Sequence, residues 1–123
     1  VHMLGQAVAA YTDATHGHTL SAVSGAYYRL LIERSEDAAK KFRRLATSVW
    51  DIVPAGKTDK EIASEGLARM EDWMRELGLA MDITACGADP SQLEGMADAC
   101  PINETGYVVL TREDVIDVLR QSL

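Results

Sequence analysis

Apolar residues recur at helical spacing through most of this chain. From Val1 to about Ala10 the residues are apolar and alanine-rich, and the loop formers Tyr11-Thr12-Asp13-Ala14-Thr15 then interrupt them. From Gly17 to about Arg34, Leu20, Val23, Tyr27, Leu30 and Leu31 fall on helical positions. Ala22, Gly25, Ala26 and Ile32 leave that segment few polar positions, which predicts a helix central to a bundle. Ser35 is placed to cap a following helix, with Glu36 and Asp37 against its N-terminal dipole. Its expected apolar face is Ala38, Phe42, Leu45, Val49 and Trp50, with Lys40, Lys41, Arg43 and Arg44 toward solvent, and Pro54-Ala55-Gly56 ends it. Thr58 and Glu61 form a capping-box pair. The face Ile62, Leu67, Met70, Met74 and Leu77 runs from there to a stop at Gly78. Pro90 opens a short helix, and Thr111 opens a last one that buries Val115, Ile116 and Leu119. Tyr107-Val108-Val109-Leu110 suits a short strand, but nothing else in the chain would pair with it. The expectation is one all-α domain over residues 1–123, a bundle of five to seven helices, with Trp50, Trp73, Met70 and Met74 as packing residues.

Composition narrows the function. The 123 residues are 47% hydrophobic and 25% charged, as in a folded domain with a single core, and the net charge is −7. An acidic surface without a basic stripe argues against nucleic acid and anionic membranes as partners. No apolar run reaches the roughly 18–20 residues of a membrane span, and no secretory signal pattern opens the chain. Cys86 and Cys100 are therefore expected as reduced thiols in the cytoplasm, not as a disulfide or a zinc pair. The start Val1-His2-Met3 has no initiator methionine. It suits a piece of a longer chain, or a start that includes vector-derived residues.

All three histidines lie in the first eighteen residues: His2, His16 and His18. Between His2 and His16 there is room for a helix of about two and a half turns and a reversing loop. Two imidazoles presented from such a hairpin can converge on one divalent metal. Spacing alone leaves an alternative open, in which His16 caps the helix at Gly17 and His2 sits in a disordered terminus.

The run from His2 through Gly5, Gln6, Tyr11, Asp13 and His16-Gly17-His18 to Ser21 resembles the metal-ligand segment of the iron-containing (group III) alcohol dehydrogenases, in their butanol dehydrogenase branch. That family shows a His, a small-residue helix, an aromatic and a loop, then His-Gly and an apolar helix. Gly106-Tyr107 and the final helix after Leu110 resemble the family's C-terminal end, so the likeness covers essentially the whole chain. It implies the C-terminal domain of the dehydroquinate synthase-like/iron alcohol dehydrogenase fold. It also implies a parent enzyme interconverting an alcohol and an aldehyde with NAD or NADP. In the family an Asp and a His from an earlier helix join two later histidines around one divalent metal, Fe2+ first and Zn2+ second. The two later ones correspond to His2 and His16. The metal serves as a Lewis acid at the alcohol oxygen. The dinucleotide belongs mainly to an N-terminal Rossmann-like domain; no Gly-rich phosphate loop or βαβ pattern is present here.

One position departs from the family. Many members carry a further His one turn after the first ligand, where this chain has Gln6. Glutamine can hydrogen-bond substrate or nicotinamide but cannot shuttle a proton near neutral pH. His18 is a candidate substitute, although a residue two positions along a helix more often points elsewhere; Asp13 is either an acceptor orienting His16 or a loop residue making its own turn hydrogen bonds. No catalytic residue is singled out. The resemblance further implies an inactive fragment when isolated, and an exposed apolar face that favours homo-oligomers. The competing reading is a small acidic helical module that binds a partner protein without chemistry. The dehydroquinate-synthase-like and glycerol-dehydrogenase-like branches share the layout, with a less suitable histidine spacing.

Overall fold

The computed structural model describes residues 1–102 and 104–123. Six α-helices are present: α1 (His2–Ala9), α2 (His16–Arg34), α3 (Glu36–Val49), α4 (Asp59–Glu76), α5 (Leu93–Ala99) and α6 (Arg112–Arg120). A single 3-10 turn, Pro90–Gln92, leads into α5. Among the described residues there is no strand, and Tyr107–Leu110 is irregular, with Tyr107 and Val109 exposed. Among the described residues no helix is long and apolar enough to cross a membrane.

The helix ends follow from their capping residues. The Ser35 side chain accepts the Ala38 amide at 3.2 Å, and Thr58 with Glu61 and Thr111 with Asp114 form reciprocal capping boxes. Gly78, at φ 74°, ends α4. The Leu79 amide reaches back to the Met74 carbonyl and the Gly78 amide to that of Arg75, the Schellman pattern that needs a left-handed residue there.

Helix α2 is the axis of the bundle. Ser21 through Ala26 are all buried, as its nearly uniform apolar composition predicts, and α1, α3, α4 and α6 pack around it. On one side lies the larger core, built from Leu4, Val8, Val23, Ile83, Met96 and Leu119 among others. On the other, Ile32, Ala39, Ala63 and Leu67 make a smaller one, flanked by Tyr28, Phe42 and Met70.

Helices α3 and α4 run in the same sense. Arg43 pairs with Asp59 at 3.2 Å, Gly66 packs on Ala46, and Trp50 meets Trp73 at 6.1 Å between ring centroids, so the contacts ascend together. The intervening segment must return along the helices, which explains why two packing expectations miss. Val49 is 56% exposed and Trp73 47% exposed, while Ala46 takes the buried place. Leu77 is exposed too, since it caps α4 beyond the last packed turn.

The long segment between α4 and α5 is pinned at Ile83. This residue is fully buried, and its amide donates to the Ser122 carbonyl at 2.7 Å. The Asp82 carboxylate accepts from the Thr84 hydroxyl and the Ala85 amide, each at 2.6 Å, and these bonds hold it below the usual carboxylate range. Cys86 and Cys100 are both buried free thiols, as expected.

Candidate metal centre

His2 and His16 are the first residues of α1 and α2. Their close approach depends on Gly5: a Cβ there would lie 2.8 Å from Leu20 Cδ2 and 3.3 Å from the Leu20 amide nitrogen. Without that Cβ, α1 settles directly on the backbone of α2. The pairings His2 with His16 and Gly5 with Leu20 ascend together, so α1 and α2 start at the same place and run in the same sense. The expected antiparallel hairpin is therefore corrected. Segment 10–15 carries the chain back along α1, which sets both histidines side by side.

The two rings meet edge to face, with centroids 4.6 Å apart and planes at 81°. Nδ1 of His2 lies 3.3 Å from Nε2 of His16. One turn along α1, the Gln6 amide nitrogen is 3.5 Å from Nε2 of His2. In that arrangement Gln6 donates to Nε2 of His2, whose Nδ1–H then donates to His16. All three side chains are solvent-exposed and share one face. The spacing suits two ligands on one ion, since nitrogens held about 2.1 Å from a metal lie roughly 3–3.5 Å apart. Among the described residues, no cluster of three or more His, Cys, Asp or Glu side chains could hold a metal.

The other sequence candidates lie elsewhere. His18 is half-buried, and its Nδ1 accepts the Ala80 amide at 3.2 Å. Ser21 Oγ donates to the Ala80 carbonyl at 2.6 Å. Together they fasten the segment after α4 to α2, so His18 is a structural residue and not a substitute for the missing histidine. No hydrogen bond joins Asp13 to His16. Asp13 is exposed and lines a separate polar cleft with Tyr11, His18 and Cys86, so it does not orient the ligand candidate.

Sequence reasoning missed a cavity beside the histidines. It has a volume of about 140 Å³; His2 and Ile102 stand at its exposed rim, and Leu4, Cys100 and Val115 form its buried floor. Tyr27 closes one side, and burial raises the pKa of its phenol above the ordinary value. These residues come from α1, α2, α6 and the segment that follows α5, so no local pattern announces the cavity.

The chain matches the family described as Fe-containing alcohol dehydrogenase, C-terminal, over residues 1–123. It is 32% identical over 124 residues to a probable NADH-dependent butanol dehydrogenase 1 of Bacillus subtilis (strain 168), covering 99% of this chain and 31% of that protein. A second such protein of the same organism, probable NADH-dependent butanol dehydrogenase 2, is 30% identical over 127 residues, covering 99% of this chain and 32% of its own length. In structure the chain is similar to an archaeal halo-thermophilic Red Sea brine pool alcohol dehydrogenase, with TM-score 0.84 and 23% identity over 99% of this chain and 32% of that one. NADH-dependent butanol dehydrogenase A from Thermotoga maritima shares the fold at TM-score 0.81 and 20% identity, over 98% of this chain and 32% of its own. The chain thus spans about a third of the length of the relatives it matches. It belongs to the Fe-containing alcohol dehydrogenase family, as the C-terminal part of that fold.

Proposed function

We propose that this chain is the metal-binding domain of an NAD(P)-dependent alcohol dehydrogenase that interconverts an alcohol and an aldehyde. The observation that carries this reading is the 3.3 Å separation of ring nitrogens between His2 and His16. That separation is the one expected between two imidazole nitrogens sharing one divalent ion. His2 and His16 would hold it, and an Asp and a His from an earlier helix of the same parent chain would complete the set. When bound, the metal supplies Lewis-acid polarisation of the alcohol oxygen. Fe2+ follows from the family, with Zn2+ the alternative, because imidazole accepts both. The dinucleotide sits mainly on the N-terminal domain, and the printed names of the relatives favour NADH.

Each side chain of this domain has a defined part. His16, at the start of the buried axis α2, gives the fixed position, and His2 is set against it by the Gly5–Leu20 seam. Gln6 faces the same side and presents an amide that can hydrogen-bond substrate or nicotinamide. It moves no proton near neutral pH, so proton traffic belongs to solvent or to the other domain. On this reading the enzyme is cytoplasmic and homo-oligomeric, and the isolated 123-residue domain is inactive because half of its ligands and the dinucleotide site lie elsewhere.

The test uses the full-length gene product that contains residues 1–123. Bound metal and NAD(H)-linked alcohol oxidation are measured for the parent, for His2→Ala and for His16→Ala. About one equivalent of metal in the parent, and a fall of at least tenfold in metal affinity in each variant, are expected. Full metal content and unchanged activity in both variants would overturn the assignment.

A further inference from the structure

We infer that Gln6 is a positioning residue for the metal centre: its amide holds the Nε2 edge of His2, so that His2 takes the ion through Nδ1 while His16 takes it through Nε2. The inference rests on the metal-pair reading of His2 and His16 and deepens it, by naming the ligating atoms and the side chain that selects them.

The two nitrogens of the His2 ring have different surroundings. Nδ1 is 3.3 Å from Nε2 of His16, the separation of two nitrogens on one ion. Nε2 is 3.5 Å from the Gln6 amide nitrogen. Turning Nε2 toward His16 would take Nδ1 out of that position and give up the contact with Gln6. Helix geometry puts the amide there. Gln6 lies four residues after His2, and side chains in a helix lean toward its N-terminus, over the residue one turn earlier. Its neighbours Leu4, Gly5, Ala7 and Val8 are all buried, so the backbone that carries Gln6 is fixed against the core. His2 is the first residue of α1 and has no earlier turn to restrain its ring, and Gln6 supplies that restraint from the turn after it.

Glutamine suits this part because its amide both donates and accepts. In the metal-free pair the amide N–H donates to Nε2, and the proton on Nδ1 is directed at His16. A metal at Nδ1 needs that lone pair free, so in the neutral ring the proton stands on Nε2 instead. The Gln6 amide then turns over and accepts this N–H through Oε1, and no proton leaves the ring. Metal-bound imidazoles are generally oriented by such an acceptor on the nitrogen that does not bind the metal. In either state one position of the amide serves His2, and the others stay free for substrate or nicotinamide.

The experiment uses the full-length gene product, stripped of metal and reloaded with Zn2+ alone. Its crystal structure is expected to show Nδ1 of His2 and Nε2 of His16 at about 2.0–2.1 Å from the ion, with Gln6 on Nε2 of His2. Zn2+ affinity is then read by competition with a chelator. Gln6→Met keeps the length but loses the hydrogen bond, and should weaken Zn2+ binding about 10–100-fold. Gln6→Glu keeps an acceptor and should bind Zn2+ at least as tightly as the parent, with its carboxylate on Nε2 of His2 and not on the ion. Because Gln6 is exposed, the metal-free Tm of both variants should stay within about 2 °C of the parent, which separates positioning from a structural role. If Gln6→Met does not fold, the crystal structure of the parent still decides the matter. Zn2+ held through Nε2 of His2, unchanged affinity in Gln6→Met, a Gln6→Glu protein as weak as Gln6→Met, or a metal-free Tm that falls in step with affinity overturns this inference alone. A parent that binds no Zn2+, or His2→Ala and His16→Ala proteins that keep it, overturns the metal-pair reading beneath it.

Discussion

Gly66 faces Ala46 across the seam between α3 and α4, and replacing it by alanine should destabilise the domain. A Cβ at Gly66 would lie 2.4 Å from Ala46 Cβ, 2.9 Å from its Cα and 3.3 Å from its amide nitrogen. Ordinary contact begins near 3.4 Å, so the helices must separate by about 1 Å, and Ala46 has no rotamer with which to retreat. Overpacking of this kind costs about 1–3 kcal/mol. Against it stands the helix preference of alanine over glycine, about 0.8–1 kcal/mol. A Cβ–Cβ approach of 2.4 Å belongs to the upper part of the overpacking range, about 2–3 kcal/mol, so the net expectation is a loss of about 1–2 kcal/mol, roughly 3–8 °C in Tm for a chain of this size. Gly17, near the start of α2, provides the contrast, since nothing lies within 4 Å of its added Cβ. Gly17→Ala should therefore be neutral or stabilise by up to about 1 kcal/mol. Urea unfolding of both variants and of Gly66→Ala/Ala46→Gly decides the point, and the double variant should show favourable coupling by relieving the clash. A Gly66→Ala protein as stable as the parent would refute the close approach of α3 and α4.

Two further perturbations probe the seam at the histidines and the start of α6. Gly5→Val places branched carbons against the Leu20 backbone, at which even a bare Cβ would stand 3.3 Å from the amide nitrogen. It should cost about 1–3 kcal/mol and lower metal affinity together with stability; unchanged metal content in elemental analysis would separate the seam from the site. Asp114 is buried, accepts the Thr111 amide at 2.9 Å and pairs with Arg34 at 2.6 Å. Burial pushes its pKa up, but the Thr111 and Arg34 contacts outweigh this and hold it below the ordinary carboxylate value. Its folded pKa is thus depressed, so the stability it contributes is present above the unfolded value of about 4 and is lost as pH falls through the folded one. Asp114→Ala should cost about 1–2 kcal/mol near neutral pH, with the gap to the parent closing below about pH 4 in chemical unfolding. A gap independent of pH would refute the ionic share.

Helix positions were largely legible because each boundary carries its own chemistry. Ser35, the Thr58–Glu61 pair, Gly78, Asp89-Pro90 and Thr111 each mark an end, and each does so in the structure. The central place of α2 was legible from its lack of polar positions. Direction was not. A chain of 123 residues with short connections suggests antiparallel neighbours, and nothing local says that segments 10–15 and 50–58 return along their helices. Exposure failed where direction failed: Val49 and Trp73 hold apolar periodicity yet face out, because the partner helix passes Ala46 instead. His2 and His16 could be picked out by resemblance, but spacing left them ambiguous. The surroundings of His18 and Asp13 were not legible for one reason. Their partners, Ala80 and the cleft around Cys86, are more than sixty residues away in sequence.

The same device, two helices starting together with a return segment between them, appears at both ends of α2, and at one end it places the candidate site. Because His2 and His16 are first residues of their helices, the ring spacing is set by backbone that has few helical hydrogen bonds of its own. What steadies it is local. The Gly5 amide bonds the Val1 carbonyl at 3.0 Å, and the Thr15 carbonyl accepts the His18 and Thr19 amides at 3.0 and 3.1 Å. Gly5 then locks one helix start to the other through Leu20. The His2 and His16 rings, being exposed, add little stability by their mutual contact. An ion bridging them would therefore clamp the α1–α2 seam as well as serve chemistry, and metal uptake by the whole enzyme should raise the stability of this domain in proportion to affinity. If the ion binds there, loosening of α1 and loss of metal would be coupled, because Gly5, His2 and His16 lie along one seam of contacts.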